Sequence, residues 1–152
     1  MMSEPLRSDF IEIMGEIAQA DGHPPISGRI LGLMIYDGQA RSFSEIAEQL
    51  HVSRGSVSEN TRRLEALGVL ERFREPGDRR DFYRLPDDAF RRLAEGYAER
   101  AADSEARVNA VREAVQAEDP ACAARLGRLA GFYGAVSAGV AVSLSRLCAE
   151  SK

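Results

Sequence analysis

The stretch that decides the fold is SFSEIAEQLHVSRGSVSENTRRLEALGVLERFREPGDRRDFYRL, residues 42–85. Ser42-Phe43-Ser44-Glu45 has the form of a capping box: the serine oxygen accepts from the N3 amide while the glutamate reaches back to the cap. Behind it, Ile46, Ala47 and Leu50 supply the inner face of a helix of about two turns. His51-Val52 makes the turn. Ser53 is a good N-cap for a second helix, and Gly68 suits its C′ position. Val69 to Glu75 reads as a strand, Pro76-Gly77 as a turn, and Arg80 to Leu85 as the return strand. Two short helices, a tight turn and a hairpin tipped by Pro76-Gly77-Asp78-Arg79-Arg80 make a winged helix-turn-helix the expected fold.

Outward from this stretch the chain reads as helical. From Leu6 to Ala20, Phe10, Ile13, Met14 and Ile17 recur at helical spacing, up to the breaker Asp21-Gly22-His23-Pro24-Pro25. A second helix, from about Ser27 to Tyr36, is apolar nearly all round through Ile30, Leu31, Leu33, Met34 and Ile35, which predicts burial on most sides. After the wing, Phe90, Leu93, Tyr97, Ala101, Ser104, Val108, Val111 and Val115 follow spacings of three and four along a long helix from Asp87 to about Glu118. Asp119-Pro120 ends that helix and starts another, since aspartate caps well and proline suits N1. The last helix presents Leu126, Leu129, Phe132, Tyr133, Val136, Val140, Leu144 and Leu147. Gly131, Gly134 and Gly139 among them leave room for a neighbouring helix.

The fold class expected is therefore mainly α with a small β-wing, a winged helix-turn-helix with long N- and C-terminal dimerisation helices. The chain divides into three segments: residues 1–25 as an N-terminal helix contributing to dimerisation, 26–86 as the DNA-binding domain, and 87–152 as a helical dimerisation extension. The two long C-terminal helices carry more apolar stripe than a domain of roughly sixty residues can cover, so a homodimer is expected.

Composition bounds the function. Glu4, Asp9, Glu12 and Glu16 interrupt any signal-peptide core. The longest uncharged run is the 17 residues between Arg128 and Arg146. That is short of the roughly 20 apolar residues a bilayer needs, so it reads as a buried packing helix, with no membrane partner and a cytoplasmic location by default. Two cysteines, Cys122 and Cys148, and two histidines, His23 and His51, fall in no metal-ligand spacing. Neither a metal nor a cofactor is expected. The net charge of −4 argues mildly against nucleic acid. Its distribution argues the other way: residues 1–52 carry −5, residues 53–84 carry +2, and residues 85–152 carry −1. The one positive segment is the helix and wing.

On a wheel of about 100° per residue, Val57 and Leu64 share one face of the Ser53–Leu67 segment, with Thr61 and Leu67 flanking. Gly55, Ser58, Glu59, Arg62 and Ala66 collect opposite, with Ser56 and Arg63 at the edge; Asn60 lies toward the core flank. Short side chains let such a helix approach a major groove, N-terminal amides favour phosphate, and arginines anchor it to the strand. Glu59 can accept from a cytosine amino group, and Ser56 or Ser58 can pair with donors or acceptors on bases. The same face also fits a merely solvated helix. The wing decides between them, because Asp78-Arg79-Arg80 puts two guanidinium groups on an exposed tip suited to a minor groove. The expected DNA contacts are Ser53, Arg54, Gly55, Ser56, Ser58, Glu59, Arg62, Arg63, Asp78, Arg79 and Arg80.

Gly55-Ser-Val-Ser, Arg62-Arg-Leu-Glu-Ala-Leu-Gly-Val-Leu-Glu-Arg and Pro76-Gly-Asp-Arg-Arg-Asp-Phe-Tyr together resemble the MarR-type winged-helix regulators. Gly28-Arg29-Ile-Leu-Gly-Leu-Met and the Gly-Asp-Arg-Arg wing are most similar to the GbsR-like branch. The likeness covers about Gly28 to Leu85; beyond it only the helical layout matches. It implies a homodimeric transcription factor on a pseudo-palindromic double-stranded DNA operator, a repressor being the usual case. The family's Asp-x-Arg wing motif falls on Asp78 and Arg80, and its recognition-helix contacts on Ser53 to Arg63. Thr61 departs from the usual leucine, leaving its hydroxyl to bond within the helix or its packing weakened.

The resemblance also implies release by a small-molecule effector, and this branch is similar to regulators of osmoprotectant and choline-related genes. A quaternary ammonium needs an aromatic cage, for which Phe90, Tyr97, Phe132 and Tyr133 are the candidates. Aromatics at this spacing equally fit ordinary core. Cys122, at about N3 of the last helix, is the candidate for thiol-based redox sensing, though an alanine-rich helix also accommodates a cysteine as a small apolar residue. A winged helix used only for protein contact would carry an apolar patch on the Ser53 helix, where arginine and serine stand instead. An enzyme is not expected: no histidine is placed to activate Cys or Ser, and no glycine-rich phosphate loop follows a strand.

Overall fold

Glycines decide how the first two helices meet. Helix α1 (Glu4–Ala20) and helix α2 (Pro25–Asp37) cross so closely that a Cβ on Gly28 would lie 2.1 Å from the Met14 carbonyl oxygen. A Cβ on Gly32 would stand 3.0 Å from that of Met14, and one on Gly15 3.0 Å from Cγ of Arg29. Proline at N1 of α2 starts that helix without wasting a donor. Ile30, Leu33 and Met34 then point into the core. The computed structural model describes residues 4–150, in two compact units, Met1–Ala89 and Phe90–Lys152.

In the first unit, β1 (Arg41–Ser42) leads directly into α3 (Phe43–Leu50). The capping box is formed as read: Glu45 N donates to Ser42 Oγ, and Ser42 N donates to Glu45 Oε2 at 2.6 Å. His51 takes a left-handed conformation, φ 53°, and turns the chain into α4 (Arg54–Ala66). Strands β2 (Glu71–Phe73) and β3 (Phe82–Arg84) form the wing, in an antiparallel sheet ordered β1-β3-β2. The strands are shorter than the hydropathy suggests. Val69 and Leu70 are buried in the core ahead of the ladder, and Arg80 and Asp81 stay outside it. Strand β1 has no counterpart in the sequence reading.

A polar joint ties α1 to the rest of this unit. Arg7 grips Asp37, the last residue of α2, with Nε at 2.7 Å from Oδ1 and Nη2 at 2.8 Å from Oδ2. Arg41 Nη2 reaches Oδ2 from the other side at 2.7 Å. Arg7 also donates to Gln49 on α3. Nearby, Arg29 pairs with Glu12 and donates to the carbonyl of Leu50 at the end of α3. The Asp37 side chain is only 7 % exposed. Hydrogen bonds from Arg7, joined by those of Arg41, hold its carboxyl below the ordinary range against the opposing effect of burial.

The expected apolar face of α1 is only partly used. Ile11 is buried and Phe10 meets Tyr36 at 5.8 Å, but Ile13 and Ile17 are each about half exposed. Backbone proximity through glycine replaces the bulky stripe that the spacing suggests.

The second unit pairs α5 (Ala89–Val115, slightly shorter than expected) with α6 (Pro120–Glu150). Asp119 caps α6 through the Cys122 amide at 2.8 Å. Small residues face inward: Ala101, Ala123 and Ala130 are buried, and Ser137 Oγ donates to the Ala98 carbonyl. Gly134 lies against Glu105 and Gly127 against Arg112, whereas Gly131 and Gly139 face open space. The run between Arg128 and Arg146 is not the buried packing helix expected. Leu129, Phe132, Val136 and Val142 are exposed in the single chain, because α5 covers only the alanine side of α6. By length and composition, Pro120–Ala149 is also long and apolar enough to cross a membrane.

Two substitutions probe the first unit. Gly28→Ala should destabilise it by roughly 1–3 kcal/mol or more in urea denaturation, since the opposing atom is main chain and cannot rotate away. Asp37→Asn should cost roughly 3 kcal/mol at pH 7. The folded carboxyl is depressed, so this contribution is complete above the unfolded value of about 3.9 and fades as pH falls through the lower folded value. Denaturation midpoints of parent and variant should therefore draw together as pH falls through that lower folded value.

Candidate nucleic-acid interface

Helix α4 is held by its inner face. Val57, Thr61 and Leu64 are buried, and Asn60 beside them is turned inward with Nδ2 donating to the Ser56 carbonyl at 2.8 Å. Thr61, the departure from leucine, donates its hydroxyl to the Val57 carbonyl at 2.8 Å. It thereby fills a core position as a β-branched residue with its polar atom satisfied. At the N-terminus, Ser53 Oγ accepts from the Ser56 amide at 3.1 Å.

With that face buried, the outer one is fixed. Ser53, Arg54, Gly55, Glu59, Arg62 and Arg63 are exposed, and Ser56 and Ser58 are half-buried at its margin. Arg62 lies back along the helix, Nε to the Ser58 carbonyl at 3.2 Å and Nη2 to Ser58 Oγ at 3.1 Å. Arg63 stands 3.8 Å from Glu59, a loose exposed pair. Arg54 turns toward α3, over the ring of Phe43 at 4.7 Å and with Nη1 donating to Ser44 Oγ at 3.3 Å.

The wing tip turns at Gly77, whose φ of 81° suits glycine. Asp78 then organises the residues after the turn: its carboxylate accepts from the backbone amide of Arg80 at 2.9 Å, from Nε and, at 2.7 Å, from Nη2. The hydrogen bonds from the Arg80 side chain, more than any other cause, hold the Asp78 carboxyl below its ordinary range. Arg80 also lies over Phe82 at 5.0 Å, so its long side chain is oriented though 65 % exposed. Arg79 is exposed and has no carboxylate partner among the described residues. Lower on the hairpin, Arg74 and Arg84 are paired, with Asp81 and Glu71 at 2.7–2.8 Å.

Helix and wing share one surface. Phe43, Ser44, Arg54, Arg79 and Arg80 line a common depression of about 280 Å³ between the hairpin tip and the starts of α3 and α4. Phe43 and Ser44 are additions to the expected set. Their position depends on β1 pairing with β3, a long-range contact without a periodic signal, although Ser44 one step past a capping box is a hint. The aromatic candidates behave differently. Phe132 and Tyr133 stack at 5.5 Å, Arg100 occupies the face of Tyr97 at 4.9 Å, and Phe90 and Phe132 are exposed. Cys122 is a half-buried free thiol at N3 of α6 and Cys148 an exposed one.

The description of the MarR family matches residues 21–81, the span that holds α2 to the wing tip. The fold of these residues matches a MarR-type winged helix. The HTH-type transcriptional regulator MmpR5 of Mycobacterium tuberculosis is 37% identical over 91 residues, 59% of this chain and 55% of that protein. YvaV of Bacillus subtilis is 28% identical over 87 residues, 57% of this chain and 49% of that protein. The chain thus spans about half the length of the curated relatives it matches. A solved crystal structure of a transcriptional regulator superposes with a TM-score of 0.82 at 26% identity, over 93% of this chain and 97% of its own. MmpR5 is named an HTH-type transcriptional regulator and YvaV a putative one.

The Asp78–Arg80 clamp of the MarR-type wing has a direct readout. Asp78 should titrate below the ordinary aspartate range in carboxyl-detected NMR, and the Arg80 Nε–H signal should stay pinned until pH falls through that lowered value. Release of Arg80 at pH 5 would mean the clamp is not formed in solution.

Proposed function

We propose that this chain is a sequence-specific DNA-binding transcriptional regulator that acts as a homodimer on a pseudo-palindromic operator in the cytoplasm. The observation that carries the reading is the common depression, which joins the recognition-helix N-terminus to an unpaired and an oriented arginine of the wing. In this arrangement α4 enters a major groove, Arg62 and Arg54 meet phosphates, and Arg80 reaches toward the adjacent minor groove. The negative net charge is no obstacle, since residues 53–84 carry +2 and phosphate binding depends on local placement.

Dimerisation accounts for the exposed apolar stripe of α6, where Leu129, Phe132 and Val136 recur at spacings of three and four and Leu147 lies eleven residues, about three turns, further along the same face. It also accounts for the length of α6, which suits a helix packed in a two-chain bundle as well as one in a bilayer. Repression by occluding the promoter, relief by a small-molecule effector and membership of the GbsR-like branch complete the proposal. A use in protein contact alone is disfavoured because the outer face of α4 offers arginine, glycine and glutamate, not an apolar patch.

Duplex binding against salt tests the reading. Arg62→Ala should flatten the slope of log affinity against log salt by about one and weaken all duplexes similarly. Arg80→Ala should weaken binding in proportion to the narrowness of the flanking minor groove. Equal loss on specific and random duplexes for every substitution on α4 would mean that the helix does not read bases. Light scattering should show a dimer at micromolar concentration; a monomer there would overturn the twofold arrangement.

A further inference from the structure

Asp37 is the point where the N-terminal helix meets the wing. Its carboxylate is held on one side by Arg7 of α1 and on the other by Arg41, the first residue of β1. Strand β1 pairs with β3, setting Arg41 opposite Tyr83 and Ser42 opposite Phe82. The Phe43 amide adds a bond to the Asp81 carbonyl at 3.0 Å. Phe82 in turn carries the guanidinium of Arg80 over its ring. Direct contacts therefore run from α1 through Asp37 and Arg41 to the sheet and the arginine at the wing tip.

We propose that Asp37 is a positioning residue for the wing, holding β1, and with it β3 and Arg80, at a placement set by where α1 lies. The geometry suits transmission. Both Asp37 oxygens are occupied, the carboxylate is almost wholly buried, and Arg7 binds it through two parallel bonds that fix direction as well as distance. Gln49 on α3 shares the same arginine, so the helix-turn-helix serves as the fixed reference. Helix α4 is held separately by its apolar inner face and the Ser53 cap. A shift of α1 would thus change how firmly β1, and with it the wing, is held beside α3 without unseating α4. The consequence for DNA affinity rests on the function proposed above; the mechanical link does not.

Hydrogen exchange and a double-mutant cycle test it, on the full chain. In Asp37→Asn, exchange at the Phe43 amide and at the β1, β2 and β3 amides should rise by a larger factor than in the α4 interior, whose protection falls only with the loss of global stability. On a duplex recovered from a random pool, Asp37→Asn should weaken binding roughly two- to thirtyfold in the parent. In an Arg79→Ala, Arg80→Ala background, where the wing no longer contributes, it should weaken binding less than about twofold. Unchanged wing exchange, a uniform rise that includes α4, or equal losses in both backgrounds would each overturn the proposal. Should Asp37→Asn unfold the chain, Arg7→Gln, which leaves the Asp37–Arg41 pair intact, carries the same comparisons with the same criteria. A parent that binds no duplex would sink the regulator reading alone, and the exchange data would still decide the link.

Discussion

Ser42 is strand and helix cap at once, and the whole surface proposed to face DNA depends on that double use. Ser42 caps α3 through its hydroxyl while its backbone sits opposite Phe82 in the sheet. An isolated hairpin of three-residue strands is marginal in water. Here the wing gains its third strand from the residues that start the helix-turn-helix, so the hairpin cannot drift far from α3. Because α3 in turn packs on α4, one short segment fixes the wing tip beside α4. No large core is needed for this. A capping box, two ladder pairs and one buried carboxylate suffice.

The arginines of this unit divide by that scaffold. Those on the hairpin stem are matched with acids and serve the wing itself, as Arg74 with Asp81 and Arg84 with Glu71. Exposed pairs of this kind contribute little stability, yet they cancel charge along the stem. At the tip the balance changes: Arg79 is uncompensated, and Arg80 is aimed by Asp78 rather than merely neutralised. Arg80 costs less to commit to a groove than a freely rotating arginine, since its conformation is already restricted. An acidic chain can therefore present a positive surface just where helix and wing converge.

The features legible in the sequence are local. The capping box, the Ser53 cap and the wheel of α4 depend on neighbours within four residues, and the structure places those elements as read. The inward turn of Asn60 and the satisfied hydroxyl of Thr61 follow from the same periodicity. The features that escape are long-range or silent in hydropathy. Strand β1 has two residues and no alternation, so only its partner reveals it. The α1–α2 crossing is carried by Gly15, Gly28 and Gly32, which have no side chain to register in an apolar pattern, whereas Ile13 and Ile17 register in it and stay half exposed. Phe43 and Ser44 join the interface only once the sheet forms. Along α6 the apolar period is real, but the alanines face α5 and the large side chains remain uncovered within one chain.

Selection from a random pool of double-stranded DNA is the most direct examination of the claim that helix and wing form one reading surface, doubled by symmetry. An inverted repeat should be enriched, with half-site centres about 10 base pairs apart and A·T-rich steps flanking it where the wings would enter. Failure to enrich any motif, or enrichment of a single unrepeated half-site with no flanking preference, would contradict that claim.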